Sequence, residues 1–200
     1  NAVDLAAREV ALSADGRYVA FATSAALAGD DTNAVDDVYV RDTVGGTATR
    51  VSLGPAGTEG NGNASVKANA ISSDGRYVAF TSESSNFVTN ALGRAQVYLR
   101  DTVAGTTTLI SRDSAGTGVA NGNSSSASIS ADGRYVAWLS SATNLPGTSL
   151  NGLLYAAYVT DTTTATTTQV EAWSASGDRP VLSSDGRYVV FSSTAGPAAS

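Results

Sequence analysis

One segment occurs four times along this chain, and this repetition constrains the fold more than any other feature. It reads LSADGRYVAFAT from Leu12, ISSDGRYVAFTS from Ile71, ISADGRYVAWLS from Ile129 and LSSDGRYVVFSS from Leu182. A second segment lies between the copies: DVYVRDTVGG from Asp37, QVYLRDTVAG from Gln96 and AAYVTDTTTA from Ala156. Two interleaved motifs with nearly constant offsets predict a chain built from one repeated supersecondary unit.

Each unit is predicted to contain four short strands, which we call A, B, C and D. Asp-Gly between A and B is a strong hairpin signal, because glycine accepts the positive φ of the turn. The predicted A strands are Glu9–Ser13, Ala68–Ser72, Ala127–Ser130 and Val181–Ser183, and the predicted D strands are Thr47–Leu53, Thr106–Ser111 and Thr166–Glu171. No apolar pattern of helical period extends over three turns. The sequence therefore predicts an all-β fold of four-stranded antiparallel sheets.

Strand B distinguishes between all-β architectures. Tyr18, Val19, Ala20 and Phe21 follow one another without the alternation of apolar and polar residues that a sheet with one wet face requires. Both faces of the sheet are therefore expected to be buried, as in the stacked blades of a β-propeller. A parallel β-solenoid is the alternative, although its rungs are shorter and need no tight Asp-Gly hairpins.

The motif S-x-D-G-R-Y-V-A-F followed by V-Y-V-R-D resembles the TolB-type, WD-like β-propeller repeat. Similar blades form the N-terminal propellers of prolyl-oligopeptidase-like enzymes, so the resemblance implies a propeller but no single activity. The repeats here are longer than usual, and the third has Thr160 where the motif has Arg.

The whole chain, 1–200, is interpreted as one propeller segment of about three and a half blades. The expected blades span about 7–53, 66–111 and 125–171, with a half blade at about 179–193. A half blade leaves an open strand edge, which is prone to association. We expect the rest of a longer chain, or another subunit, to complete it.

Composition excludes several classes of protein. The chain has no Cys and no His, which excludes disulfides, thiolate or imidazole zinc sites and a Ser-His-Asp triad. A net charge of −6 argues against nucleic-acid binding, and no apolar run is long enough for membrane insertion as a helix. The abundance of small polar residues, with Lys67 as the single lysine, is typical of a secreted or periplasmic bacterial protein.

An acidic B–C loop in the first repeat is the sharpest polar cluster. Carboxylate and amide oxygens close in sequence suit Ca²⁺, which prefers oxygen ligands. The candidate calcium ligands are Asp30, Asp31, Asn33, Asp36 and Asp37. The alternative is a solvated loop whose side chains cap turns.

The B–C and D–A connections are long, and in an up-and-down blade they fall on the same face of the disc. Long loops of this kind are often functional. Candidate ligand-binding residues there are Asn61, Asn63, Asn121, Asn123 and Trp173. The alternatives are turn chemistry for the Asn-Gly pairs and packing for Trp173, which is expected in a short D–A loop. On the opposite face, the Arg after each Asp-Gly turn is placed to pair with the Asp that ends strand C.

No set of residues in the sequence assembles an acid, a base and a nucleophile. The sequence therefore predicts a non-enzymatic scaffold that binds a protein or glycan through the long-loop face. Two alternatives stay open: a non-catalytic propeller domain of a larger enzyme such as a prolyl-oligopeptidase-like hydrolase, and a structural subunit of a surface assembly.

Overall fold

The structure is a computed structural model, and it describes residues 7–147, 154–173 and 179–192. These residues form short β-strands and one 3₁₀ turn, Pro55–Gly57. The strands are β1 (Arg8–Leu12), β2 (Tyr18–Thr23), β3 (Asp37–Asp42), β4 (Ala48–Arg50), β5 (Ala64–Ser65), β6 (Tyr77–Ser82), β7 (Gln96–Asp101), β8 (Thr106–Leu109), β9 (Ser124–Ile129), β10 (Tyr135–Ser140), β11 (Tyr155–Asp161), β12 (Thr166–Trp173), β13 (Val181–Leu182) and β14 (Val189–Val190). Within these ranges no helix is long and apolar enough to cross a membrane.

The strands assemble into successive antiparallel sheets that follow the order of the chain. Blade 1 is β1-β2-β3-β4, blade 2 is β5-β6-β7-β8 and blade 3 is β9-β10-β11-β12. The fourth sheet is the two-stranded half blade β13-β14. The described part of the chain is therefore three and a half propeller blades, which confirms the predicted fold class.

Strand B is buried on both sides in each complete blade, as its lack of alternation predicted. Ala20, Ala79 and Ala137 are fully buried. Phe80 and Trp138, which follow Ala79 and Ala137, are fully buried as well. Each aromatic residue stacks on the tyrosine of strand C, with ring centroids 6.2 Å apart for Phe21–Tyr39, 5.5 Å for Phe80–Tyr98 and 4.9 Å for Trp138–Tyr158. These stacked pairs form the core of each blade.

The inner strands converge on a common axis. Glu9 of β1 forms ion pairs with Lys67, which follows β5, and with Arg179, which precedes β13. The contact between Arg179 and Glu9, at 3.8 Å, joins blade 4 to blade 1. These two blades are not neighbours in the chain, and their contact is expected when blades radiate from one centre.

Several predicted strand boundaries are wrong. Strand A of blade 3 is Ser124–Ile129 instead of Ala127–Ser130, and strand D of blade 2 ends at Leu109 instead of Ser111. Strand A of blade 2 is Ala64–Ser65, and the predicted Ala68–Ser72 keeps only an isolated bridge between Ile71 and Val78, because Asn69 takes a positive φ of 63° and bends the chain after Lys67. Strand D of blade 1 ends at Arg50 instead of Leu53, since Val51 and Ser52 both donate to the Val38 carbonyl. Strand β12 continues to Trp173, which pairs with Tyr155. Trp173 therefore ends a strand and does not lie in a loop.

Candidate functional site

The face with the short turns is closed by a repeated ion pair. The Arg that follows each Asp-Gly turn reaches the Asp that ends strand C, with nitrogen–oxygen distances of 2.8 Å for Arg17–Asp42 and 2.7 Å for both Arg76–Asp101 and Arg134–Asp161. The Arg76 guanidinium, helped by turn amides, lowers the pKa of Asp101 to about 2. Each pair ties the A–B turn to the C–D turn of its own blade. The Arg and Asp side chains of this face therefore have a structural role, as the sequence indicated.

The long loops share the opposite face, where asparagines join them. Asn61 receives a hydrogen bond from the Ser85 amide at 2.8 Å and donates one to the Ser85 hydroxyl at 2.9 Å. Asn121 makes the same two bonds with Thr143, at 2.8 and 2.9 Å. The first Asn of each Asn-Gly-Asn motif thus holds the B–C loop of the blade that follows it.

The second asparagine of each motif binds in the other direction. Asn63 accepts the amide of Asp36 at 3.1 Å, and Asn123 accepts the amide of Ala95 at 3.3 Å. Both amides belong to the blade that precedes the motif. Each Asn-Gly-Asn therefore links two neighbouring blades, and we call these motifs the asparagine latches.

All four latch side chains also remain exposed on the loop face. Their hydrogen bonds give them a structural role between blades, while their exposure leaves the remaining donors and acceptors open to a ligand. A ligand role for these residues stays a prediction. The fifth candidate, Trp173, lies apart from them at the end of β12, and its side chain is outside the described part of the structure.

The acidic loop of blade 1 surrounds an arginine that the sequence analysis missed. Arg50, at the end of β4, has a side chain only 3% exposed. Its guanidinium nitrogens lie 3.4 Å from carboxylate oxygens of Asp30 and Asp31, 3.7 Å from Asp37 and 2.7 Å from Glu59. A buried cation therefore occupies the centre of the cluster.

The two remaining predicted ligands, Asn33 and Asp36, have partners other than Arg50. Asn33 donates to Asp37 at 3.0 Å and to the Gly60 carbonyl at 2.9 Å. Asp36 pairs with Arg8 at 3.3 Å. The structure thus brings together Asp30, Asp31, Asn33 and Asp37 but not Asp36.

As arranged, this cluster does not fit Ca²⁺. The oxygens that a calcium ion would need already face the Arg50 guanidinium, and no group of three or more acidic residues suited to a metal is found among the described residues. Hydrogen bonds from Thr32 and Arg50 lower the pKa of Glu59 to about 2, whereas burial raises the pKa of Asp37 above its usual range. Arg50 could have been suspected from the sequence, because the other repeats have Leu109 and Gln169 at this strand position.

Leu92 is a further feature of the loop face that the sequence analysis missed. It is 69% exposed and has a positive φ of 54° in the B–C loop of blade 2. A positive φ is strained for a residue other than glycine, and Ala34 and Asn90 adopt one in the B–C loops as well. The loop therefore holds a large apolar side chain in solvent at an energetic cost.

A cleft of about 620 Å³ lies at the outer rim between blades 2 and 3. Its walls carry several threonines from the C and D strands and turns of both blades, together with Arg112, Asp101 and Asp113. The Asp101 carboxylate is paired with Arg76, and Asp113 accepts the amides of Thr117 and Gly118. Both carboxylates in this cleft therefore have partners within the protein.

Comparison with known proteins supports the fold. No family model matches the chain, and no curated protein matches it. Among solved structures, TolB from Acinetobacter baumannii superimposes with a TM-score of 0.57 at 20% identity over 92% of this chain. An oligogalacturonate lyase in complex with manganese gives 0.57 at 12% identity over 93%, and dipeptidyl peptidase 4 from Porphyromonas gingivalis gives 0.52 at 14% identity over 92%.

The chain spans 37%, 46% and 29% of the length of those three proteins, respectively. At these identities the likeness concerns the fold alone. The chain has the fold of part of a TolB-like β-propeller.

Proposed function

We propose that this chain is a non-enzymatic interaction module that binds a partner protein or a glycan through its long-loop face. The asparagine latches carry the proposal. They fix the B–C and D–A loops of neighbouring blades to one another, so the loop face is organised before any partner arrives. Binding to such a surface avoids the entropy cost of ordering loops.

Leu92 favours a protein partner over a glycan. An exposed apolar side chain on a strained loop gains more from burial against a protein than from contact with polar hydroxyl groups. The exposed latch asparagines add hydrogen-bonding groups to the same loop face. An apolar anchor with a polar surround is the usual organisation of a protein interface.

We further propose a secreted or periplasmic location and no catalytic role for these residues. The composition and the likeness to TolB support the location. The arrangement of the described carboxylates supports the absence of catalysis, because those in the rim cleft and around Arg50 are held in ion pairs or by turn amides.

A non-catalytic propeller domain of a larger enzyme is the second candidate. The superposition on dipeptidyl peptidase 4 favours it, because this chain covers only 29% of that protein. In this candidate the loop face contacts a catalytic domain instead of a separate partner. A catalytic domain encoded in the same gene as these repeats would favour this second candidate over a separate interaction module.

The test compares a loop-face variant with a matched variant on the opposite face. The immobilised chain is exposed to secreted and periplasmic proteins of its source organism, and separately to a glycan array. Leu92→Ser removes the apolar anchor, and Val103→Ser is its control, since Val103 is 76% exposed in a C–D turn. We expect one partner to be retained by the parent and by Val103→Ser but lost by Leu92→Ser. Equal retention by both variants, or no retained partner at all, would contradict the proposal.

A further inference from the structure

The two asparagine latches differ at one atom, the main-chain nitrogen of the glycine inside each motif. The Gly62 amide donates to the Ser84 hydroxyl at 3.2 Å. The Gly122 amide donates no hydrogen bond within the described part of the chain. The first latch therefore holds its glycine amide, whereas the second leaves it unbound.

This difference comes from one substitution between the repeats. Ser84 and Ala142 occupy equivalent positions, because their amides donate to the hydroxyls of Ser82 and Ser140, at 3.1 and 3.0 Å. Both residues are fully buried. Blade 3 thus has a methyl group where blade 2 has the hydroxyl that accepts the glycine amide.

An asparagine followed by glycine can react with its own main chain. The glycine nitrogen gives up its proton to water and attacks Cγ of the asparagine. The new N–Cγ bond closes a succinimide ring, while the Cγ–Nδ2 bond breaks and the nitrogen takes a proton from water and leaves as ammonia. Water then opens the ring at either carbonyl, which gives aspartate or isoaspartate. Glycine favours this reaction because it has no Cβ to hinder the approach.

The latches prepare both asparagines equally as the group that is attacked. Oδ1 of Asn121 accepts the Thr143 amide at 2.8 Å, and Oδ1 of Asn61 accepts the Ser85 amide at 2.8 Å. Negative charge develops on this oxygen during the attack, and a donor already aimed at it stabilises that charge. Both asparagines are exposed, so water reaches both. Only the attacking glycine nitrogen distinguishes the two motifs.

We infer that Asn121 is a site of self-modification, which converts to aspartate and isoaspartate in the folded chain while Asn61 is protected. The Gly62 amide must give up its bond to Ser84 before its nitrogen can lose a proton, and the Gly122 amide has no such bond to give up. The inference is independent of the proposed loop-face function.

Conversion changes the latch between blades 2 and 3. Nδ2 of Asn121 donates to the Thr143 hydroxyl at 2.9 Å, and a carboxylate cannot make this bond as a donor. The product also adds a negative charge to the loop face, and its isoaspartyl form lengthens the main chain at the bend. The latch between blades 2 and 3 therefore alters with time, whereas the latch between blades 1 and 2 persists.

The experiment follows both asparagines in the same sample of the purified 200-residue chain. The folded chain is incubated at mildly alkaline pH, digested at Arg and Lys, and analysed by mass spectrometry. Digestion places Asn61 in the peptide 51–67 and Asn121 in the peptide 113–134, so the two conversions are read separately. Fragmentation of each peptide assigns the converted residue, and Asn121→Gln confirms the assignment because the longer side chain closes a ring far more slowly.

Two variants exchange the protecting group between the latches. Ser84→Ala removes the hydroxyl that holds the Gly62 amide, and Ala142→Ser supplies one beside Gly122. Ser65→Ala is the control for the first variant, because it removes a serine hydroxyl from β5 of the same blade. A parallel incubation in urea removes the fold and with it the difference between the two motifs.

We expect Asn121 to convert about three- to tenfold faster than Asn61 in the folded parent, since one hydrogen bond separates them. Ser84→Ala should raise the rate at Asn61 by the same factor, Ser65→Ala should leave it unchanged, and Ala142→Ser should slow Asn121. In urea the two rates should be equal. No conversion at Asn121 in the folded chain, equal rates in the folded parent, or a rate at Asn61 that Ser84→Ala does not change would overturn the inference.

Discussion

The Nη1 nitrogen of Arg50 lies 2.7 Å from Oε1 of Glu59, and this ion pair joins the end of β4 to the D–A loop that follows it. Glu59 also accepts the amide and hydroxyl of Thr32, at 2.7 and 2.8 Å. The pair therefore fastens the acidic B–C loop as well. Asp31 and Asp37, both nearly inaccessible to solvent, depend on the same guanidinium for their neutralisation.

Removing this guanidinium should destabilise the fold strongly. Arg50→Met preserves most of the side-chain volume but leaves buried carboxylates without a cation, which typically costs about 3–5 kcal/mol. Arg41→Met is the control, since Arg41 is exposed on β3 of the same blade and should change stability by less than about 0.5 kcal/mol. Urea unfolding, followed by tryptophan fluorescence, measures the free energy of unfolding of both variants and of the parent. Similar losses for the two variants would contradict the central role of Arg50.

The same arrangement predicts that calcium does not bind to the acidic loop. Calorimetric titration of the parent chain with Ca²⁺ should give no saturable heat, because Arg50 already neutralises Asp31 and Asp37. The control is the double variant Asp31→Ala/Asp36→Ala titrated in the same way. Saturable heat in the parent that disappears in the double variant would restore the calcium site that the sequence predicted.

Acid should destabilise the chain in a defined pH range. The pKa values of Glu59, Asp101 and Asp161 are lowered to about 2 by their hydrogen bonds, whereas unfolded carboxyls titrate near about 4. The unfolded chain therefore binds more protons below pH 5, so the stabilisation is complete above about pH 5 and is lost as the pH falls toward 2.

Equilibrium unfolding in urea at pH 6, 5, 4 and 3 measures this loss. Asp101→Asn should be less stable than the parent at pH 6 but should lose less stability on acidification, because one of the shifted carboxyls is gone. An unchanged dependence on pH in this variant would show that the Arg76–Asp101 pair does not contribute to it.

The fold was predictable because its signals are local and repeated. Asp-Gly fixes each A–B hairpin, and the unbroken apolar run from Tyr18 to Phe21 identifies a sheet covered on both faces. The Arg–Asp pairs were predictable for the same reason, since every repeat places them at the same ends of strands. A local preference that is weak in one segment becomes reliable evidence for the fold when every repeat shows it at the same position.

The site was less predictable because its contacts join distant segments. Nothing near Asn61 in the sequence indicates that it binds Ser85, and the acidic loop read alone suits a metal. The charge of Arg50, 13 residues after Asp37 in the chain, changes that interpretation only when strands β3 and β4 pair. Strand A of blade 2 was also predicted at the wrong place. The bend at Asn69 outweighs the preference for an extended strand in the residues around it.

Tyr39 and Tyr98 offer a matched test of buried hydroxyl groups. They occupy equivalent positions on strand C, and both are almost completely buried. The Tyr39 hydroxyl donates to the Asp31 carboxylate and accepts the Leu27 amide, whereas the Tyr98 hydroxyl has no protein partner in the described part of the chain. Burial without a partner raises the pKa of Tyr98 to about 12.

Replacement by phenylalanine should therefore affect the stability of the chain differently at the two positions. Tyr39→Phe loses a charge-assisted hydrogen bond and should destabilise the chain by about 1.5–3 kcal/mol. Tyr98→Phe removes an unpaired polar group and should leave stability unchanged or raise it by up to about 1 kcal/mol. The free energies of unfolding of the two variants and the parent, measured by urea denaturation, test this difference. A loss at Tyr98 as large as that at Tyr39 would mean that the Tyr98 hydroxyl forms a hydrogen bond of similar strength, and that the blade 2 core is not as dry as its apolar neighbours indicate.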